Sequence, residues 1–134
     1  MNSIRSNLIA ALIGAHIIKI KLSTDHLMQP EARKVYEKEQ IDISTLAARV
    51  KHCVQSSFNG RRIIVFSGGA AKGADAVYDD ARAIRDGGGN GSIIGRNSFQ
   101  RSREDALAML AKLVDAGKLD EALALAVTFV EQGL

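Results

Sequence analysis

Tryptophan is absent from this chain, and its aromatic residues are only two tyrosines and four phenylalanines. Single-stranded nucleic acids are held by aromatic stacking platforms. The Gly/Arg-rich run 85–103 has Phe99 as its one aromatic residue, so no nucleic-acid partner is expected. Cysteine occurs once, at Cys53, which excludes an internal disulfide and a cysteine-built zinc site and suits a reducing compartment. Cys53 falls on the apolar stripe of an expected helix and reads as a buried structural thiol. Proline also occurs once, at Pro30. No long apolar run is present. The stretch 8–22 is interrupted by Gly14, His16, Lys19 and Lys21, falls short of the ~20 residues that cross a bilayer, and lacks a signal-cleavage pattern. The chain is therefore expected in the cytoplasm, with no membrane partner. The three histidines are scattered, and neither His26 nor His52 has a companion at ligand spacing, so no metal site is expected.

Two phosphate-binding motifs fail as well. Gly68 and Gly73 have nearly the glycine spacing of a P-loop, but Ala74 stands where Lys-Ser or Lys-Thr is required. No Gly-x-Gly-x-x-Gly pattern occurs, and the glycines at 87–91 precede a strand rather than follow one.

The remaining composition is that of an ordinary single domain. The chain has 134 residues, 46% apolar and 25% charged, with a net charge of +3. Helices are expected over residues 3–13, 31–39, 44–55, 74–85, 102–114 and 120–131. Short strands are expected over 16–21, 62–66 and 92–94. Ser102 and Asp105 resemble a capping box opening the fifth of these helices. Alternating strands and helices predict an α/β fold with parallel strands and right-handed crossovers. Three short parallel strands leave two unpaired edges, and a closed eight-stranded βα barrel takes about 250 residues. The expected fold class is therefore α/β, and of such a barrel this chain could supply only the last part. One domain, residues 1–134, is expected.

Chemistry-bearing residues gather at two places. The strand at 16–21 alternates, placing Ile18 and Ile20 on one face and Ile17, Lys19 and Lys21 on the other. If the lysine face is a barrel interior, desolvation and a like-charged neighbour favour a neutral, nucleophilic amine. If the strand is an edge, the lysines are solvated guards against aggregation. The second place is a pair of glycine turns. Ser67-Gly68-Gly69 follows the strand Arg62–Phe66, and Gly95-Arg96-Asn97 follows the next. Each alone is an ordinary βα turn or half of a phosphate cradle, built from backbone N–H groups and the Ser67 hydroxyl. Turns after successive strands build a phosphate site together in many βα barrels.

The segments Ala15-His16-Ile17-Ile18-Lys19-Ile20-Lys21, Ser67-Gly68-Gly69-Ala70-Ala71-Lys72-Gly73 and Ser92-Ile93-Ile94-Gly95-Arg96-Asn97-Ser98-Phe99-Gln100-Arg101 occur in this order. Together they resemble the C-terminal part of class I fructose-bisphosphate aldolases of the archaeal and bacterial type, a family related to deoxyribose-phosphate aldolase. The similarity covers roughly residues 1–115, and the charged stretch 22–43 looks like the insertion of longer bacterial members. The resemblance implies that the chain is the C-terminal portion, about the last three βα units, of a (β/α)8 TIM barrel whose sixth strand carries Lys19 as the Schiff-base residue. Lys21 would be the neighbouring cation that favours its neutral form. Ser67, Gly68, Gly69, Gly95 and Arg96 would hold one substrate phosphate.

The implied reaction cleaves fructose 1,6-bisphosphate to dihydroxyacetone phosphate and glyceraldehyde 3-phosphate, within glycolysis or gluconeogenesis. No cofactor or metal is implied, since the iminium serves as the electron sink. The implied partners are a phosphorylated sugar and, in the full-length family, further copies of the same chain. One departure is large. The family's proton-transfer tyrosine and its first-strand acidic residue have no counterparts here, because the similarity starts in the helix after the fifth strand. Five further βα units are expected, either upstream in one reading frame or on another polypeptide, and the chain alone is expected to turn over little or not at all. Two other readings stand beside this one. They are a non-catalytic phosphate-binding remnant or assembly subunit, and a sister Schiff-base aldolase or transferase acting on another phosphorylated sugar.

Overall fold

A computed structural model describes residues 2–27, 29–68 and 72–117. The elements in chain order are α1 (Asn2–Leu12), β1 (Ile17–Lys21), α2 (Pro30–Lys38), α3 (Leu46–Ser56), β2 (Ile63–Ser67), α4 (Ala74–Asp86), β3 (Gly91–Ile93), α5 (Arg96–Phe99) and α6 (Arg103–Gly117). The helix expected over 120–131 lies outside the described residues. The short α5 is an addition to the expected order. Its four residues complete about one turn, too few for a hydrophobic period to register.

The three strands form one open parallel sheet in the order β1-β2-β3. Its two faces differ. Ile18, Ile20, Ile64 and Phe66 pack with Ala11, Val50, Cys53 and Ile84 in one core cluster, so α1, α3 and α4 cover one face. On the other face Ile17, Lys19, Lys21, Ile63 and Ile93 are exposed, and no described element covers them. The alternation expected for the first strand is observed, with the isoleucines at 18 and 20 inward and both lysines outward. A second cluster joins Val77, Tyr78 and Ala81 of α4 to Met109, Leu110 and Leu113 of α6.

Turn chemistry explains several boundaries. Gly14 takes φ 96° just beyond α1, a left-handed conformation that glycine adopts without a Cβ penalty. Thr45 caps α3 by accepting a hydrogen bond from the Ala48 amide at 3.1 Å. Ser102 does the same for Asp105 at the start of α6, again at 3.1 Å. Between α4 and β3 the glycine run serves packing. A Cβ on Gly87 would stand 2.6 Å from Val50, and one on Gly89 would stand 2.8 Å from Phe66.

The first helix is oriented by a polar residue. Its apolar side chains Leu8, Ile9 and Leu12 face outward, while Ala11 and Asn7 are buried. Asn7 donates to the Cys53 carbonyl at 2.7 Å and to Ser56 Oγ at 3.2 Å. The last-turn carbonyls of a helix lack intrahelical partners, so Asn7 anchors α1 by satisfying one of them in α3.

Candidate functional site

Parallel register brings the candidate residues to one end of the sheet. Lys19 is paired with Val65 and Lys21 with Ser67 across β1 and β2, and Ser67 is paired with Ile93 across β2 and β3. Side chains alternate along a strand, so Lys19, Lys21 and Ser67 share the uncovered face. With about 3.3 Å per residue along a strand and about 4.8 Å between strands, the Lys19 and Ser67 Cα atoms stand about 8 Å apart. Gly68 and Gly95 lie just past the carboxyl ends of β2 and β3, and Arg96 opens α5, exposed. Gly69, the remaining candidate, lies outside the described residues.

One expectation needs correcting. The Gly68 N–H donates to the Ile93 carbonyl at 3.1 Å, which extends the β2–β3 ladder by one bond. It is therefore already committed and is not a phosphate donor. What Gly68 offers is room, because a Cβ there would sit 3.5 Å from Asn97 Nδ2, an ordinary contact. The Ser67 hydroxyl donates to the Ile20 carbonyl at 3.4 Å, a long bond that leaves its oxygen able to accept or re-aim. At the other end of the turn Gly73 is the N-cap of α4 and supplies no side-chain acceptor, so the first turn of this 13-residue helix is open to an anion. Asp75 in that turn works against an anion.

The glycines separate into two groups. Those at 87 and 89 are demanded by crowding, and Gly88 takes φ 78°. Gly68 and Gly95 show neither a positive φ nor a severe overlap, with nearest would-be Cβ contacts of 3.5 and 3.4 Å. Gly95, the N-cap of α5, has a backbone reason instead, since its ψ of −90° lies outside the regions that other residues favour, which leaves Gly68 as the one of the pair without a folding reason.

Three side chains hold the surroundings in place, and none was evident from sequence. Arg49 Nε donates to the Ser23 carbonyl at 2.9 Å, pinning the chain after β1 against α3. Arg101 Nη2 donates to the Lys72 carbonyl at 2.7 Å, and the Lys72 amide donates to Asn97 Oδ1 at 2.8 Å. These are contacts between residues 25 to 29 positions apart, which leave no local pattern.

The other titratable groups lie elsewhere. Tyr36 and His52 bond at 2.6 Å between α2 and α3. Tyr78 is buried at the α4–α6 contact, with Lys112 Nζ 4.5 Å from its ring centroid. Among the described residues, no three His, Cys, Asp or Glu side chains gather as a metal site, and no helix is long and apolar enough to cross a membrane. A groove of about 470 Å³ between α5 and α6, lined by Phe99, Arg103 and Leu107 among others, contains none of the candidate residues. Among the described residues, no element covers the lysine face of the open three-stranded sheet.

No known family model matches this chain, and no solved structure matches it at a significant level.

Proposed function

We propose that this chain is the Schiff-base and phosphate-holding portion of a class I fructose-bisphosphate aldolase, an arc of a (β/α)8 barrel acting in the cytoplasm. The observation that carries the reading is a convergence. Two lysines on the uncovered face of β1, one of them at its carboxyl end, lie beside Gly68 and Gly95 just past the carboxyl ends of β2 and β3, and crowding requires glycine at neither position. That end of a βα sheet is where ligands bind. The topology is consistent with an arc. Strands in sequential order with helices on one face are what a barrel segment requires, whereas a doubly wound sheet reverses its strand order and covers both faces.

In this reading the Lys19 amine adds to the ketone carbon of a phosphorylated sugar, and the carbinolamine loses water to give an iminium. The bond between the third and fourth carbons then breaks, its electron pair moving into the iminium to form an enamine. A base removes the hydroxyl proton from the fourth carbon, so the departing half leaves as an aldehyde. The enamine is protonated and hydrolysed, which frees Lys19. Ser67, Gly68, Gly95 and Arg96 border the phosphate of the bound half, and Lys21 lies one row above Lys19 on the same face. The test is reductive trapping with borohydride in the presence of dihydroxyacetone phosphate. An adduct mapped to Lys19, and absent from Lys19→Arg, supports the reading, and its absence from the wild type refutes it.

One observation favours a second reading, a phosphate-binding portion without turnover. Proton transfer needs an acid or base over the iminium, yet Tyr36 is engaged by His52 and Tyr78 is packed between α4 and α6. Trapping on Lys19 without cleavage of fructose 1,6-bisphosphate is its signature.

A further inference from the structure

The turn after β2 and the helix after β3 are joined through one residue. Every polar group of Lys72, near the end of that turn, is taken. Its amide donates to Asn97 Oδ1 at 2.8 Å, its carbonyl accepts from Arg101 Nη2 at 2.7 Å, and its ammonium pairs with Asp80 of α4. Arg101 closes the ring by donating from Nε to the Asn97 carbonyl at 2.7 Å. The start of the turn meets the same side chain, since Asn97 Nδ2 lies 3.5 Å from where a Gly68 Cβ would stand. Asn97 is 3% exposed. Its amide therefore lies against both described ends of the turn, Gly68 and Lys72, while its own backbone belongs to α5 beside Gly95.

We infer that Asn97, steadied by Arg101, is a positioning residue that couples Gly68 and Lys72 after β2 to Gly95 after β3, so that these described positions meet a phosphate at a preset spacing. The inference rests on the phosphate reading given above. Its physical basis is preorganisation: a cradle divided between two turns binds an anion well only if their spacing is set before the anion arrives. Satisfying the Lys72 amide would by itself require only an acceptor. The bidentate Arg101 brace on both Lys72 and Asn97 fixes distance and angle as well, which a planar guanidinium does and an ammonium does not.

The experiment titrates inorganic phosphate into the full ¹⁵N-labelled chain and follows the Gly68 and Gly95 amides in the wild type, Asn97→Ala and Arg101→Lys. Hydrogen exchange at the Lys72 amide is measured separately without phosphate. In the wild type both glycine amides should move with a single dissociation constant. Asn97→Ala should speed Lys72 exchange and weaken phosphate binding about tenfold or more, as a displaced binding group does. Arg101→Lys should weaken it similarly although the charge is kept, and this variant decides the matter if Asn97→Ala does not fold. A purely structural Asn97 would lower stability and leave the dissociation constant unchanged, which overturns the inference while leaving the phosphate reading in place. A wild type whose amides ignore phosphate overturns both.

Discussion

Lys21 stands opposite Ser67 across the β1–β2 pair, and both side chains lie on the face that no described helix covers. The helices cover the opposite face through Ile18, Ile20, Ile64 and Phe66, so the lysine side is free of packing duties. The residue types there answer to something other than the core. Gly68, just beyond β2, is likewise not demanded by crowding, and both points can be tested by substitution.

Gly68→Ala should fold as well as the wild type or gain about 0.5 kcal/mol, because a Cβ fits and the unfolded chain loses freedom. Gly87→Ala should lose about 1–3 kcal/mol, since its Cβ would overlap Val50 and the Ala47 carbonyl at 2.6 Å. Urea denaturation gives both values. Phosphate affinity should follow the reverse order, falling in Gly68→Ala and holding in Gly87→Ala.

The α2–α3 contact should depend on pH in both directions. Burial holds the His52 imidazole below its ordinary 6.5, partly opposed by a hydrogen bond to Gln55. The fold thus prefers the neutral ring, and the stability this brings is present above pH 6.5 and lost as pH falls through the lowered value. Burial, with a smaller effect from Cys53, holds the Tyr36 phenol above its ordinary 10.0. That contribution is present below pH 10 and lost as pH rises through the raised value. Helix α2 has no fully buried residue, so its amides should lose exchange protection at both extremes while β2 keeps its own.

Cys53 should resist thiol reagents in the folded chain. Its side chain is fully buried, and burial pushes the thiol up, with the Ser23 hydroxyl at 3.8 Å opposing in part. The thiolate is the reactive form. Labelling should therefore follow global opening and accelerate with denaturant, and in Phe66→Ala, where loss of a fully buried ring costs about 3–5 kcal/mol, it should be fast.

Much of this architecture could be read from the chain because its signals are local. Alternation at 16–21 gave the two faces of β1, and the Ser102–Asp105 spacing gave the start of α6. The orientation of α1 could not be read that way. A stripe at Leu8, Ile9 and Leu12 marks a helix without saying what covers it, and the buried contact comes instead from Asn7 reaching a carbonyl 46 residues away. The same holds for the candidate site. Lys19, Ser67 and Gly95 are recognisable by type and position, whereas the roles of Asn97 and Arg101 exist only after β2 and β3 have paired. The amide of Gly68 is the reverse case: a donor by sequence, spent on Ile93 once the ladder forms.

The central claim is that Lys19 takes a carbonyl carbon while the glycine turns hold the attached phosphate. Peptide-mapped mass spectrometry after borohydride reduction tests it, with dihydroxyacetone phosphate and unphosphorylated dihydroxyacetone compared at equal concentration. The account predicts an adduct concentrated on Lys19, strong with the phosphate ester and weak without it. Equal labelling by the two ketones, or adducts spread over the surface lysines with none favoured at Lys19, would contradict it.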